Sequence, residues 1–174
     1  MGAVGRLRQV VRAIGAFAQP VDHALARRYL TPEQHALFCR MTRSEQLHSL
    51  RVLRAVLAQS GETPPALAVA ALLHDVGKTR YRLNLFERAL PVVVKKLAPR
   101  LEAQLSAQET PEGWHAPFVV RRHHPKWGAA MLCQTMCNKH AVWLVARHAD
   151  PPAKWEHHAL YPLLVRLKRA DDAN

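Results

Sequence analysis

Eight small or apolar residues, Ala66 to Leu73, run without interruption into His74 and Asp75 in the stretch PALAVAALLHDVGK. A helix that is hydrophobic nearly all round has no face to give to water, so it belongs at the centre of a domain and other helices must cover it. The pattern predicts such a helix over residues 65–77, with His74 near its C-terminal end. Positions 67, 71, 74 and 78 then share one face, which makes His74 the continuation of an apolar stripe and puts Lys78 one turn beyond it.

The rest of the chain agrees with a helical surround. Helical spacing dominates and strand alternation is almost absent, which predicts an all-α domain, a compact bundle of roughly seven or eight helices. Thr31-Pro32-Glu33 reads as a helix start, and Ser44 as a cap for the helix carrying Leu47, Leu50, Leu53 and Leu57, which Gly61 ends. Residues 84–108 read as one or two amphipathic helices broken at Pro91 or Pro99, and 109–117 as a loop. Residues 125–136, 140–148 and 157–172 complete the set, with His124 opening the first of these, Pro125 in its first turn and His148 ending the second.

With 174 residues the chain is long enough for one core. Residues 1–30 read as a basic amphipathic helical extension, with Arg6, Arg8 and Arg12 interrupting its apolar residues, and 31–174 as the main domain. That extension packs on its own domain with a solvated Arg face, rests on lipid or nucleic acid, or serves as an organelle-type presequence. No segment has the length and apolarity to span a bilayer. Cys39, Cys133 and Cys137 lack CxxC spacing and suit a reducing cytoplasm, with Cys133 and Cys137 read as packing residues on one helical face. The 25 Lys and Arg against 13 acids give +12, with 11 His besides, a field that attracts anions.

A buried carboxylate is costly unless it is paired or bound to a cation, and imidazole beside carboxylate is a donor set that divalent transition metals accept. Further donors occupy helical positions that can converge on the pair. His48 lies at the edge of the Leu47/Leu50 stripe, His124 and His148 lie at helix ends, and Asp171 follows the apolar face of Leu160, Leu164 and Leu167 while Asp172 turns outward.

In the order LHSLRV (His48), AALLHDVGK (His74, Asp75), HHPKWGA (His124), ARHAD (His148) and LKRADD (Asp171), these residues resemble the HD-domain metal-dependent phosphohydrolases over residues 44–172. The resemblance implies an all-α bundle with metal at its centre. His48, His74, Asp75 and Asp171 would hold one ion, and Asp75 would bridge to a second held by His124 and His148. One or two divalent ions are implied, with Mn, Fe, Co, Ni and Zn equally compatible. Asp75 and Lys78 are the implied catalytic residues, and Lys78, Arg51 and Arg122 the candidates for contact with substrate phosphate.

The implied reaction is hydrolysis of phosphate esters or anhydrides by a metal-activated water, on an anionic phosphorylated small molecule, with nucleotides the expected class. The cyclic-di-GMP hydrolases of the superfamily carry a double His followed by Gly-Tyr-Pro, whereas this chain has ARHADPP, which disfavours that substrate. The single His at this point resembles the small bacterial hydrolases of dinucleoside tetraphosphates. Two other classes compete: an HD fold kept as a nucleotide-binding or regulatory module, and a basic protein that binds nucleic acid or an anionic membrane surface. His23, His35, His115, His140, His157 and His158 are read as surface or capping residues, and His123 as a neighbour of the site.

Overall fold

A computed structural model describes residues 19–81, 83–108 and 110–174. Nine α-helices are formed among them: α1 (His23–Arg27), α2 (Pro32–Arg40), α3 (Arg43–Leu57), α4 (Pro65–Leu73), α5 (Leu85–Leu97), α6 (Pro99–Ser106), α7 (Ala116–Cys133), α8 (Lys139–Arg147) and α9 (Tyr161–Asp172). Short 3₁₀ turns occupy Val76–Arg80, Gly113–His115 and Pro152–Trp155. The described residues contain no strand, and no described helix is long and apolar enough to cross a membrane.

The apolar run does take the central place. Every residue from Ala66 to Leu73 is buried, and α4 packs against α2, α3, α8 and α9. Leu50 and Leu53 of α3, Leu144 of α8 and Leu164 and Leu167 of α9 belong to the same core. Each fully buried leucine contributes roughly 1.5–3 kcal/mol relative to exposure, enough to explain why the helices collect around this segment.

Several boundaries differ from those expected. Thr42, not Ser44, caps α3: its hydroxyl accepts from the Glu45 backbone while the Glu45 carboxylate accepts from the Thr42 N–H at 2.8 Å. This capping box starts the helix ahead of Ser44. Helix α3 also stops at Leu57, short of Gly61, which lies in the following turn at φ +87°. Of the two candidate breaks, Pro99 separates α5 from α6, whereas Pro91 lies inside α5. His157 and His158 precede α9 instead of opening it. Helix α7 ends at Cys133, so Cys137 falls on no shared helical face, and Cys133 is exposed where packing was expected.

The basic extension expected over residues 1–30 lies outside the described residues up to position 18. Beyond that point Ala26 of α1 and Leu30 are buried in the main core.

Candidate metal centre

Helix α4 ends at Leu73, four residues earlier than expected, and the chain tightens into the 3₁₀ turn Val76–Arg80. Asp75, the residue before that turn, has φ −94° and ψ 0°, the sparsely allowed bridge region that active-site residues often occupy. In 3₁₀ geometry side chains three apart eclipse one another. Lys78 therefore stands over Asp75 instead of continuing the His74 face, and its Nζ donates to Asp75 Oδ2 at 2.6 Å.

His124 does not open a helix. It lies inside α7, which runs through Pro125. Proline has no N–H to give to the carbonyl four residues back, here that of Arg121. His124 Nδ1 takes that carbonyl instead, at 2.8 Å. The other two buried imidazoles stand just past helix ends, where the last carbonyls lack helical donors. His74 Nδ1 donates to the Ala71 carbonyl at 3.1 Å and His148 Nδ1 to the Val145 carbonyl at 2.8 Å. A carbonyl can only accept, so all three rings carry hydrogen on Nδ1 and turn Nε2 inward.

The inward atoms form two cups that share Asp75. In the first, His48 Nε2 lies 3.0 Å from Asp171 Oδ1, and His74 Nε2 lies 3.6 Å from both Asp75 Oδ2 and Asp171 Oδ1. In the second, Asp75 Oδ1 lies 3.3 Å from His124 Nε2 and 3.8 Å from His148 Nε2. The groups His48, His74, Asp75 and Asp75, His124, His148 each place one donor atom per residue within 4.8 Å of the others. Asp171 is turned inward, as expected, and Asp172 instead receives Lys168 at 2.8 Å on the exposed side.

Both cups demand a cation. His124 Nε2 and His148 Nε2 face each other at 3.2 Å. With hydrogen on both Nδ1 atoms each inward nitrogen is a lone pair, and two lone pairs beside a carboxylate oxygen repel unless positive charge lies among them. His74 Nε2 is buried without a hydrogen-bond partner. Such an orphaned atom costs about 1–3 kcal/mol, and a metal ion would satisfy it. The residues thus fit a divalent ion in each cup, by the chemistry of the donor set.

Electrostatics act in the same direction. Burial alone would raise the Asp75 carboxyl, but His74, Lys78 and His124 hold it well below the usual carboxylate range. Asp171 is likewise lowered, its partial burial outweighed by the imidazoles of His48 and His74 beside its carboxylate. Burial, with His124 and His74 nearby, pushes His148 down to about 3 and keeps it in the neutral, ligating form. For His74 the carboxylates Asp75 and Asp171 overcome burial and raise its pKa above the ordinary value.

The centre opens into a cavity of about 740 Å³ lined by His48, Asp75, His124, His148 and Asp171 together with several cations. Lys78 and Arg122 line it. Arg51 does not: it is exposed on α3 and absent from the cavity wall. Two arginines that the sequence reading passed over do line it. Arg121 has a buried Nη1 without a hydrogen-bond partner, and Arg147, whose guanidinium lies 4.6 Å over the Trp155 ring, has a buried Nε without one. Arg121 precedes His124 by three positions, a helical spacing that would have revealed it. His123 stacks on Trp127.

No curated protein and no solved structure matches the chain. The family model of the HD domain matches residues 47–173, well over half of the chain and inclusive of all six inward donors, and the chain belongs to that family.

Proposed function

We propose that the protein is a metal-dependent phosphohydrolase that cleaves phosphate ester or anhydride bonds, with a nucleotide as the substrate class. The observation that carries this reading is the pair of cation-demanding cups sharing Asp75 at the floor of a basic cavity. His48, His74, Asp75 and Asp171 would hold one ion, and Asp75, His124 and His148 a second. Divalent ions held there would neutralise phosphate oxygens and lower the pKa of an attacking water toward neutrality.

The chain's own residues supply the rest. Lys78, held by Asp75 at the cavity wall, contributes a third positive charge close to the cups. Arg121, Arg122 and Arg147 extend that field outward, and their forked donors match phosphate oxygens better than a lysine would. A cavity of about 740 Å³ is of the size that encloses a small molecule, which favours a nucleotide over a polymer. Three free cysteines suit a cytoplasmic setting.

The test is elemental analysis of untagged protein together with phosphate release from a nucleotide panel, before and after chelation. One or two transition metals per chain, with turnover lost on chelation and restored by metal, is the expected result. Metal and nucleotide binding without turnover would make the protein a binding module. Binding that weakens steeply with salt and ignores chelators would make the basic surface the functional feature.

A further inference from the structure

Away from the central cavity, two histidines read from the sequence as surface or capping residues come together with Cys39. His35 and Cys39 lie four apart on α2, one above the other on the same helix face. His23, the first residue of α1, faces them, with its Nδ1 3.3 Å from His35 Nε2. Cys39 Sγ lies 3.7 Å from His35 Nδ1 and 3.9 Å from His35 Nε2. One donor atom from each of the three lies within 4.8 Å of the others. None of the three lines the central cavity.

The spacings fit a shared ion better than a hydrogen-bond chain. Tetrahedral zinc, with bonds of about 2.0–2.1 Å to nitrogen and 2.3 Å to sulfur, sets its ligands about 3.3 Å apart for two nitrogens and about 3.6 Å for nitrogen and sulfur. The observed 3.3 and 3.9 Å fall close to these values, and one rotation of an exposed thiol closes the remainder. The two rings are also backed by Phe38, whose centroid lies 6.1 Å from each, so both are oriented from beneath.

We propose that His23, His35 and Cys39 form a second, surface metal site that takes one zinc-like divalent ion, with water in the fourth position. The thiol gives up its proton on binding, and the ion joins α1 to α2 while masking Cys39. Nitrogen and thiolate donors together favour Zn²⁺ over Mg²⁺ or Mn²⁺. The central cups, by contrast, contain no sulfur, which makes the two kinds of site separable by spectroscopy.

The test is titration of the metal-free full chain with Co²⁺. Expected is a near-ultraviolet thiolate-to-cobalt charge-transfer band with the intensity of one thiolate-bound ion per chain, which disappears on adding Zn²⁺. The band should persist in the Cys133→Ser/Cys137→Ser variant and be lost in Cys39→Ser and in His35→Ala. Cys39 is exposed, so its replacement leaves the core intact, and cobalt uptake by the sulfur-free central cups reports that the variant is folded. Absence of the band in the wild-type chain, or its survival in Cys39→Ser, overturns the proposal.

Discussion

Gly77 is the residue on which the second cup depends most and which ligates nothing. It sits in the 3₁₀ turn after Asp75, where that turn presses on α7. A Cβ added there would overlap the His124 carbonyl oxygen and stand 2.6 Å from the Gly128 nitrogen and 2.8 Å from the His124 carbonyl carbon. All three are backbone atoms, so no side chain can swing aside. Restoring ordinary contact requires the two backbones to part by more than about 1 Å, since non-bonded heavy atoms settle near 3.5 Å.

Gly77→Ala should therefore cost about 1–3 kcal/mol or somewhat more. In a domain of this size that lowers Tm by roughly 2–12 °C. The larger effect falls on metal, because the parting runs between the elements that carry Asp75 and His124, 3.3 Å apart. Gly128→Ala is the graded control: its Cβ meets the Gly77 nitrogen and Val145 Cγ1 at 3.2 Å, a tight but yielding contact. Thermal unfolding and elemental analysis of both variants make the test. An unchanged Tm and full metal content in Gly77→Ala would refute the close-approach reasoning.

Four further outcomes follow from the same geometry. His124→Ala should empty the second cup while leaving the first loaded; two metals per chain in that variant would dissolve the assignment. Arg121→Ala should lower kcat/KM toward a nucleotide about 10- to 100-fold through loss of one charge-assisted hydrogen bond, with metal content unchanged. Pro125→Ala returns an N–H to the Arg121 carbonyl and leaves His124 Nδ1 the longer bond to the Val120 carbonyl, so metal affinity should fall, by up to about 10- to 100-fold, without loss of helix stability, measurable by chelator competition. Finally, His74 has a raised pKa and must shed its proton to ligate, so metal affinity should climb as pH rises through and above 6.5, and calorimetry in buffers of different ionisation enthalpy should report the released proton.

How far the sequence disclosed this centre depends on what each residue's signal was. Residues 66–73 announced a central helix because hydrophobicity on every side admits no other place, and the Leu160/Leu164/Leu167 face pointed to Asp171, although the sequence left Asp172 open as the ligand one rotation away. The helical environments of His124 and Lys78 were not legible. Proline usually marks a helix start, whereas α7 passes through Pro125 with the neighbouring His124 imidazole on the Arg121 carbonyl in place of the missing N–H. The switch to 3₁₀ geometry after Asp75 depends on Gly77 meeting α7, a contact between segments distant in sequence. The His23, His35 and Cys39 cluster was hidden for the same reason: the i,i+4 pair is visible, but His23 joins it only when α1 folds back on α2.

The central donors also say why ligand binding and folding are coupled here. Each buried imidazole stands where the helical ladder lacks a backbone donor, after Leu73, at Pro125 and after Arg147, and a carbonyl left over there fixes Nδ1. An uninterrupted helix would consume those carbonyls and leave the rings free to choose either tautomer. The result is a cluster of inward lone pairs and two carboxylates, opposed in the structure by Lys78, at its wall, and by the proton that His74 favours. Desolvating that much acceptor character costs several kcal/mol unless positive charge arrives with it. The six donors come from α3, the α4 end, α7, α8 and α9, so a cation bound there joins position 48 to position 171 across the whole bundle. Its binding free energy adds directly to the stability of the folded state.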